Sequence, residues 1–176
     1  LTCGFLFTCT GYYRYDEGYT PAFEGVERFG GEIVHPQFWT DDVDHAGKRV
    51  VVIGSGATAV TVIPALAREA RHVTMLQRSP TYVAAGPDVD VIANGLRKVL
   101  PDSVAYDITR WKNTKLQQFM YKRMRSNPDK AKNLLVGRVR KSLGPDYDVD
   151  THFTPSYAPW DQRLCLVPNG DLFEAI

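Results

Sequence analysis

Lys48-Arg-Val-Val-Val-Ile53, followed by Gly54-Ser-Gly-Ala-Thr-Ala59, decides the fold class of this chain of 176 residues. The first six residues form an apolar run with a polar lead-in, which predicts a parallel strand covered on both faces. The next six fit the pattern G-x-G-x-x-A. A helix is predicted over Thr58 to Ala70, and a second strand over His72 to Leu76. This order of strand, glycine turn, helix and strand predicts an α/β, Rossmann-like domain that binds a dinucleotide.

Each residue type in the glycine turn suits a bound pyrophosphate. Gly54 allows the tight turn, Gly56 lets the backbone approach the phosphates, and Ala59 keeps the helix close to the strand. The amides of the first helical turn then face the phosphates, and the helix dipole favours negative charge there. The alternative is a glycine turn without a ligand. The predicted phosphate-binding residues are Gly54, Ser55, Gly56, Ala57, Thr58 and Ala59.

The end of the second strand distinguishes between the two nicotinamide cofactors. A carboxylate there would hold the 2′-hydroxyl of NAD, but this chain has Gln77-Arg78-Ser79. A guanidinium suits a 2′-phosphate, because it can donate two hydrogen bonds to a dianion. Ser79 can add a hydroxyl. Arg78 and Ser79 therefore favour NADP, with a surface arginine at a strand end as the alternative.

The remaining patterns predict elements on either side of this unit. Cys3 to Cys9 predicts a strand that ends at Thr10-Gly11, and Glu32 to Val34 a short strand. Helical spacing and punctuating prolines between about residues 88 and 145 predict an insertion of three helices. Tyr157 to Val167 predicts the approach to a strand. Asp171 and Glu174 predict a capping box that starts one more helix.

Composition and charge exclude several classes of protein. The formal net charge is +1, so no polyanionic partner is implied for the whole chain. Cys3, Cys9 and Cys165 form no C-x-x-C pair, which speaks against a disulfide framework, a dithiol centre and a metal site, and favours a reducing, cytoplasmic compartment. The apolar start lacks the features of a signal peptide. Because the chain opens on Leu1, within an apolar segment and not on a Met with a flexible lead-in, we expect a fragment of a longer protein.

The predicted helical insertion is basic, with thirteen Lys or Arg against three Asp between Arg97 and Lys141. Its charge is explained most simply as the solvated face of helices. Contact with a membrane surface is an alternative, since basic helices attract anionic lipid. The charge could also draw in a nucleotide phosphate. Binding of nucleic acid is the weakest reading, because the sequence has no recognised module for it.

Four residues before the glycine turn carry a resemblance to a known family. Phe29, Gly31, His35 and Trp39 follow the pattern F-x-G-x-x-x-H-x-x-x-W, which resembles the fingerprint of flavin-dependent Baeyer–Villiger monooxygenases. The family usually continues with Pro or Asp after the Trp, and here that position is Thr40. The runs Leu76 to Tyr82 and Pro159 to Asp171 are similar to the same family. The resemblance covers nearly the whole chain.

The resemblance implies a fold and an activity. Such enzymes bind FAD in one domain and NADPH in a second, inserted domain. Their reduced flavin forms a C4a-peroxyflavin with O2, which oxygenates ketones to esters or lactones, and thioether, thioamide or amine substrates at the heteroatom. One alternative is a flavin-containing monooxygenase that acts on N or S. Others are an isolated NADP-binding module without activity by itself and a basic helical interaction protein.

The resemblance also implies roles for individual residues. Thr10 and Gly11 resemble the segment that passes near the flavin, and Arg163 the arginine placed beside flavin and nicotinamide. Gln162 stands where many relatives have a Lys that reaches the 2′-phosphate. His35 and Trp39 are expected to serve the linker between the cofactor domains. The implied organisation is the end of the FAD domain and linker at 1–28, a fingerprint linker at 29–47, the NADP domain at 48–156 and a return segment toward the FAD domain at 157–176.

Overall fold

The computed structural model describes residues 2–11 and 14–176, and the chain divides into two compact units, Leu1–Asp44 and His45–Ile176. Leu1, where the expected fragment opens, lies outside the described residues. The first unit has two short 3-10 helices, Val26–Arg28 and Pro36–Phe38. Its described residues form no strand. The second unit carries the strands and the α-helices.

The strands predicted at Cys3 to Cys9 and Glu32 to Val34 are therefore wrong. Phe5, Leu6 and Phe7 have the apolar character of a strand, but they are 74–82% exposed. A strand needs a neighbour for its backbone hydrogen bonds, and no described segment pairs with these residues. Apolar character alone was not enough to form a strand here.

Alternating strands and helices build the second unit. In chain order they are β1 Arg49–Ile53, α1 Ala57–Leu66, β2 His72–Leu76, β3 Tyr82–Gly86, α2 Val91–Arg97, α3 Asp102–Ser126, α4 Pro128–Leu143, α5 Val149–Phe153, β4 Leu164–Pro168 and α6 Asp171–Glu174. The predicted β1 and α1 are confirmed with shifted ends, and β2 is confirmed without change. The three helices expected in the insertion are confirmed as α2, α3 and α4.

Two parallel pairs of strands form the sheets of this unit. β1 pairs with β2, so that Val51 lies beside Thr74 and Ile53 beside Leu76. β3 pairs with β4, so that Tyr82 lies beside Leu164. The pairing of β3 with β4 joins segments about eighty residues apart. The local sequence does not mark Tyr82–Gly86 as a strand, since Ala and Gly have low β-propensity.

The prediction that β1 is covered on both faces is wrong. Val52 packs against the core together with Val73 and Met75 of β2. The opposite face carries Val51 and Ile53, which are 60% and 64% exposed. One layer of helix therefore covers one face of this pair of strands.

The core lies where α1, α4, α5 and α6 meet β3 and β4. Its buried side chains include Val60, Ile63, Tyr82, Leu135, Val139, Val149, Phe153, Val167, Leu172 and Phe173. The last predicted helix is confirmed as α6, but the capping box predicted at Asp171 and Glu174 is wrong. Gly170, in the left-handed conformation, is the N-cap, and Asp171 is already the first helical residue. In the described part of the chain, no helix has the length and apolar content needed to cross a bilayer.

Candidate functional site

The glycine turn after β1 has the geometry of a phosphate-binding turn. Gly54 has φ 138°, a conformation that favours glycine, and its amide donates to the carbonyl of Leu76 at 2.8 Å. A Cβ added at Gly56 would meet no protein atom within 4 Å, so the space in front of this backbone is open. Helix α1 then begins at Ala57 without a side-chain cap. The turn therefore leaves room and amide donors for an anion.

Ser55 is held from inside the protein. Its side chain is buried, and its Oγ lies 3.1 Å from Oγ1 of Thr81, which is also buried. The Sγ of Cys165 contacts the carbonyl oxygen of Ser55 at 4.0 Å. Because the hydroxyl of Ser55 is already paired with Thr81, the phosphate contact predicted for Ser55 would have to come from its backbone amide.

The rest of the predicted turn has mixed exposure. Ala57 and Thr58 are exposed, whereas Ala59 is buried. A Cβ added at Gly54 would lie 3.9 Å from the Cβ of Ala59, which is ordinary contact. A larger residue at position 59 would separate helix α1 from the end of β1, as the sequence pattern predicts.

A cavity of about 390 Å³ lies between the first turns of helix α1 and the segment that begins at Arg163. It is lined by Ala57, Val60 and Thr61 of α1 on one side. On the other side it is lined by the run from Arg163 to Leu166, which leads into and forms the first half of β4. Residues separated by about a hundred positions in the sequence thus border one space.

Arg163 is exposed, directly before β4 begins. Among the described residues, no ion pair holds its guanidinium, while its backbone carbonyl accepts from Oη of Tyr157 at 2.9 Å. Burial raises the pKa of the nearby Cys165 thiol, and the positive charge of Arg163 opposes that shift. Gln162 is exposed beside Arg163. A cation at the rim of this cavity is available to an anionic or electron-rich ligand.

The loop before Arg163 is fastened to the end of α3, which sequence reasoning missed. Trp160 has φ 72°, an uncommon conformation for a bulky side chain. Its Nε1 lies 3.1 Å from Sδ of Met124, and its ring meets Tyr121 edge-on at 5.7 Å. Asp161 pairs with Arg125. The basic insertion thus supports the segment that carries Arg163, and no signal in the local sequence indicates this contact.

Arg78 and Ser79 lie on a short loop that is held on both sides. Both side chains are exposed. Before them, Nε2 of Gln77 donates to the carbonyl of His152 at 2.7 Å. After them, Thr81 meets Ser55, and Oη of Tyr82 donates to the carbonyl of Tyr157 at 2.7 Å. The loop presents Arg78 and Ser79 to solvent from a fixed base.

The fingerprint residues lie in the first unit. Nδ1 of His35 accepts from the amide of Gln37 at 3.2 Å and caps the helix Pro36–Phe38, so its neutral form carries the proton on Nε2. A Cβ added at Gly31 would lie 2.6 Å from Cζ of Phe29, so the exposed ring of Phe29 would have to move to admit a side chain there. Trp39 is the C-cap of the same helix. These contacts fit the structural role predicted for His35, which remains a prediction.

Thr10 and Gly11 are exposed in the first unit. The carbonyl of Thr10 accepts from Oη of Tyr15, and Gly11 has φ 74°. Their predicted contact with a flavin therefore remains an expectation from the resemblance.

A second cavity, of about 420 Å³, lies between α4 and α5. The charged groups on its wall are engaged within the protein. Lys132 donates to the carbonyl of Pro155 at 2.7 Å, and Arg140 pairs with Asp150 at 2.8 Å. In the described part of the chain, no group of three or more His, Cys, Asp or Glu side chains is placed to hold a metal ion.

The second unit is a Rossmann-like domain, with a glycine turn between β1 and α1, parallel pairing of β1 with β2 and an uncapped start of α1. Comparison with known proteins gives the family. Residues 4–137 match the family described as FMO-like, flavin-binding monooxygenase-like, and the chain belongs to that family. The chain is 55% identical over 177 aligned residues to the FAD-containing monooxygenase EthA of Mycobacterium tuberculosis (strain CDC 1551 / Oshkosh), covering 100% of this chain and 36% of EthA.

Solved structures agree on the fold. An oxidized steroid monooxygenase bound to NADP matches with a TM-score of 0.66 at 21% identity, over 90% of this chain and 37% of that one. OTEMO in complex with FAD and NADP matches with a TM-score of 0.62 at 19% identity, over 90% of this chain and 37% of that one. The chain thus spans about a third of the length of the curated relatives it matches.

Proposed function

We propose that this chain supplies the NADP-binding part of an NADPH- and FAD-dependent monooxygenase. The observation that carries the proposal is the 390 Å³ cavity, which the first turn of α1 and Arg163 line together. Family membership and similarity to monooxygenases whose names include FAD or NADP support both cofactors. The domain limits predicted from the sequence, with the NADP domain at 48–156, are part of this proposal.

The residues present fit an NADP molecule. The open space at Gly56 and the uncapped start of α1 suit the pyrophosphate. Arg78 and Ser79 would hold the 2′-phosphate, because both are exposed and Arg78 can donate a forked pair of hydrogen bonds. Gln162 adds a neutral donor at the cavity rim. When bound, the flavin supplies the oxygen-activating redox chemistry, and the protein supplies position and charge.

For this chain, the proposed task of Arg163 is electrostatic. A fixed cation beside the reacting centre stabilises negative charge that develops there, and it does so without reorganisation. The loop that carries Arg163 is fastened to α3 through Trp160 and Asp161, which suits a charge that must stay in place. Thr10 and Gly11 are proposed as the flavin-side contacts.

The proposed substrates are a small ketone together with O2, giving an ester or lactone, or a thioether, thioamide or amine that is oxygenated at the heteroatom. Oxygenation at carbon and oxygenation at a heteroatom are two proposals, and the resemblance to the family supports both. Product analysis of the full-length enzyme with a cyclic ketone and with a thioether distinguishes them.

Calorimetric titration of the folded chain with NADP and with NAD tests the cofactor proposal. Selective binding of NADP is the expected result. A folded chain that binds neither nucleotide would contradict the proposal for this chain. In the full-length enzyme, Arg163→Ala should abolish oxygenation while the flavin stays bound, and retained oxygenation would refute the role of Arg163.

Contact with a membrane surface, from a cytoplasmic location, is proposed as a secondary property because of one face of α3. Exposed side chains three or four residues apart form a stripe of apolar and basic groups along this helix: Val104, Ile108, Trp111, Lys115, Phe119 and Lys122. Such a face suits the boundary of an anionic bilayer. The chain should sediment with anionic vesicles and not with neutral ones, and Trp111→Ser should weaken that binding. Equal recovery with both vesicle types would contradict the proposal.

A further inference from the structure

A buried hydrogen bond between two side chains joins the two pairs of strands next to the proposed cofactor site. β1 with β2 and β3 with β4 form separate sheets that share no strand pairing. Ser55 follows β1, Thr81 precedes β3, and their hydroxyl oxygens are 3.1 Å apart. Both side chains are almost inaccessible to solvent, at 8% and 2% exposure. A hydrogen bond in such a place is well protected from competition with water.

The same bond relates two groups that the proposed function assigns to different parts of NADP. Ser55 lies within the turn for the pyrophosphate. Thr81 lies three residues after Arg78, so that their Cα atoms are no more than about 11 Å apart. The loop that presents Arg78 is therefore attached at its far end to the turn itself.

A ligand that contacts both the pyrophosphate turn and the Arg78 loop depends on the distance between these two segments. Binding of the pyrophosphate to the turn raises the effective concentration of the 2′-phosphate at the Arg78 loop only if that distance matches the ligand. A ligand that contacts only one of the two segments does not depend on the distance. Thr81 has no exposed surface with which to contact a ligand directly.

We propose that Thr81 is a positioning residue for cofactor selectivity: its hydroxyl, through Ser55, fixes the far end of the Arg78 loop, whose near end is already tied to the turn by the hydrogen bond from the Gly54 amide to the Leu76 carbonyl. The inference rests on the proposed function, because it assumes NADP in this site. On this proposal, the preference for NADP over NAD depends on two features: the charge of Arg78 and the hydrogen bond between Thr81 and Ser55 that helps to place that charge.

The test compares Thr81→Val, which keeps the shape and removes the hydroxyl, with Thr81→Ser, which keeps the hydroxyl. Three probes are titrated into each variant: NADP, NAD, and adenosine 2′-monophosphate, which carries the 2′-phosphate without the pyrophosphate. Thr74→Val on β2 serves as the control, since Thr74 is exposed. Thermal unfolding is followed for every variant.

Thr81→Val should weaken NADP binding by up to about tenfold and leave the other two probes unchanged, because loss of the placement of the loop can cost no more than the net strength of the hydrogen bond that maintains it. Thr81→Ser should restore NADP binding, and Thr74→Val should match the original chain. The double variant Ser55→Ala with Thr81→Val should bind NADP as weakly as Thr81→Val alone, because both changes remove the same bond. That variant leaves no unpaired hydroxyl, so it also guards against loss of folding.

Other outcomes overturn the inference. Equal loss for all three probes would mean that Thr81 supports the fold in general, and unchanged NADP binding would mean that the bond does not matter for selectivity. If the original chain binds no NADP at all, the proposed function fails and this inference fails with it. If the original chain binds NADP and only the Thr81 effect is missing, the proposed function stands.

Discussion

Arg78→Ala gives the sharpest test of cofactor choice, because the structure separates binding from stability at this residue. The side chain of Arg78 is exposed, and no ion pair among the described residues includes it. Its removal should therefore leave the free energy of unfolding unchanged within about 0.5 kcal/mol. A hydrogen bond to a charged group contributes about 1.5–3 kcal/mol, so the Kd for NADP should rise about tenfold to 150-fold.

NAD lacks the 2′-phosphate, so its Kd should stay within about twofold of the original value. The assay is a calorimetric titration at low and at moderate salt, because an exposed charge is screened as ionic strength rises and the NADP effect should shrink. Arg71→Ala is the matched control. Arg71 is also exposed, but it precedes β2 whereas Arg78 follows it, at the opposite end of the strand. Equal losses for NADP and NAD, or equal effects of the two substitutions, would refute the reasoning.

Three further predictions concern stability. Leu172→Ala should lower the free energy of unfolding by about 2–5 kcal/mol in urea denaturation, because Leu172 is 1% exposed, whereas Leu166→Ala, at 71% exposed, should have little effect. Similar losses for both would contradict the core described above. Tyr82→Phe should cost about 1 kcal/mol by removing the bond to the Tyr157 carbonyl. Burial raises the pKa of Tyr82 to about 12, so the spectroscopic titration of the original chain should contain a phase near pH 12 that Tyr82→Phe removes; absence of that phase would contradict the burial of Tyr82. The hydrogen bond from Lys112 and the amide of Ala93 lower the pKa of Asp90 from 3.8 to about 2. The contribution of Asp90 to stability is therefore present above pH 4 and lost as the pH falls toward 2. Asp90→Asn should make the melting temperature depend less on pH over that interval. An unchanged slope of melting temperature against pH would show that Asp90 is not responsible.

The elements that could be predicted from sequence are those whose signal is local. An apolar run, two glycines and a helical repeat occupy neighbouring positions, so β1, the turn, α1 and β2 can be predicted from one short stretch. The three helices of the insertion follow from apolar spacing and from Pro101 and Pro128 at their limits. The candidate residues Arg78 and Ser79 follow from their place after β2, since the fold sets where a cofactor contact must come.

Predictions failed where pairing partners decide the outcome. The run at Cys3 to Cys9 has the composition of a strand, but no described segment pairs with it. Tyr82–Gly86 has a weaker strand composition, yet it becomes β3 because β4 lies beside it. Asp171 has the residue type of an N-cap, but Gly170 takes that position with a left-handed backbone.

Residue types at short, constant spacings were enough to predict the class of fold, the glycine turn and the family. Which distant residues lie next to one another could be read only from the folded chain. Arg163 borders the same cavity as Ala57, Trp160 reaches α3, and Thr81 bonds to Ser55. Such contacts depend on how packed elements meet in space, and the free energy of that packing belongs to the whole core and not to any one segment.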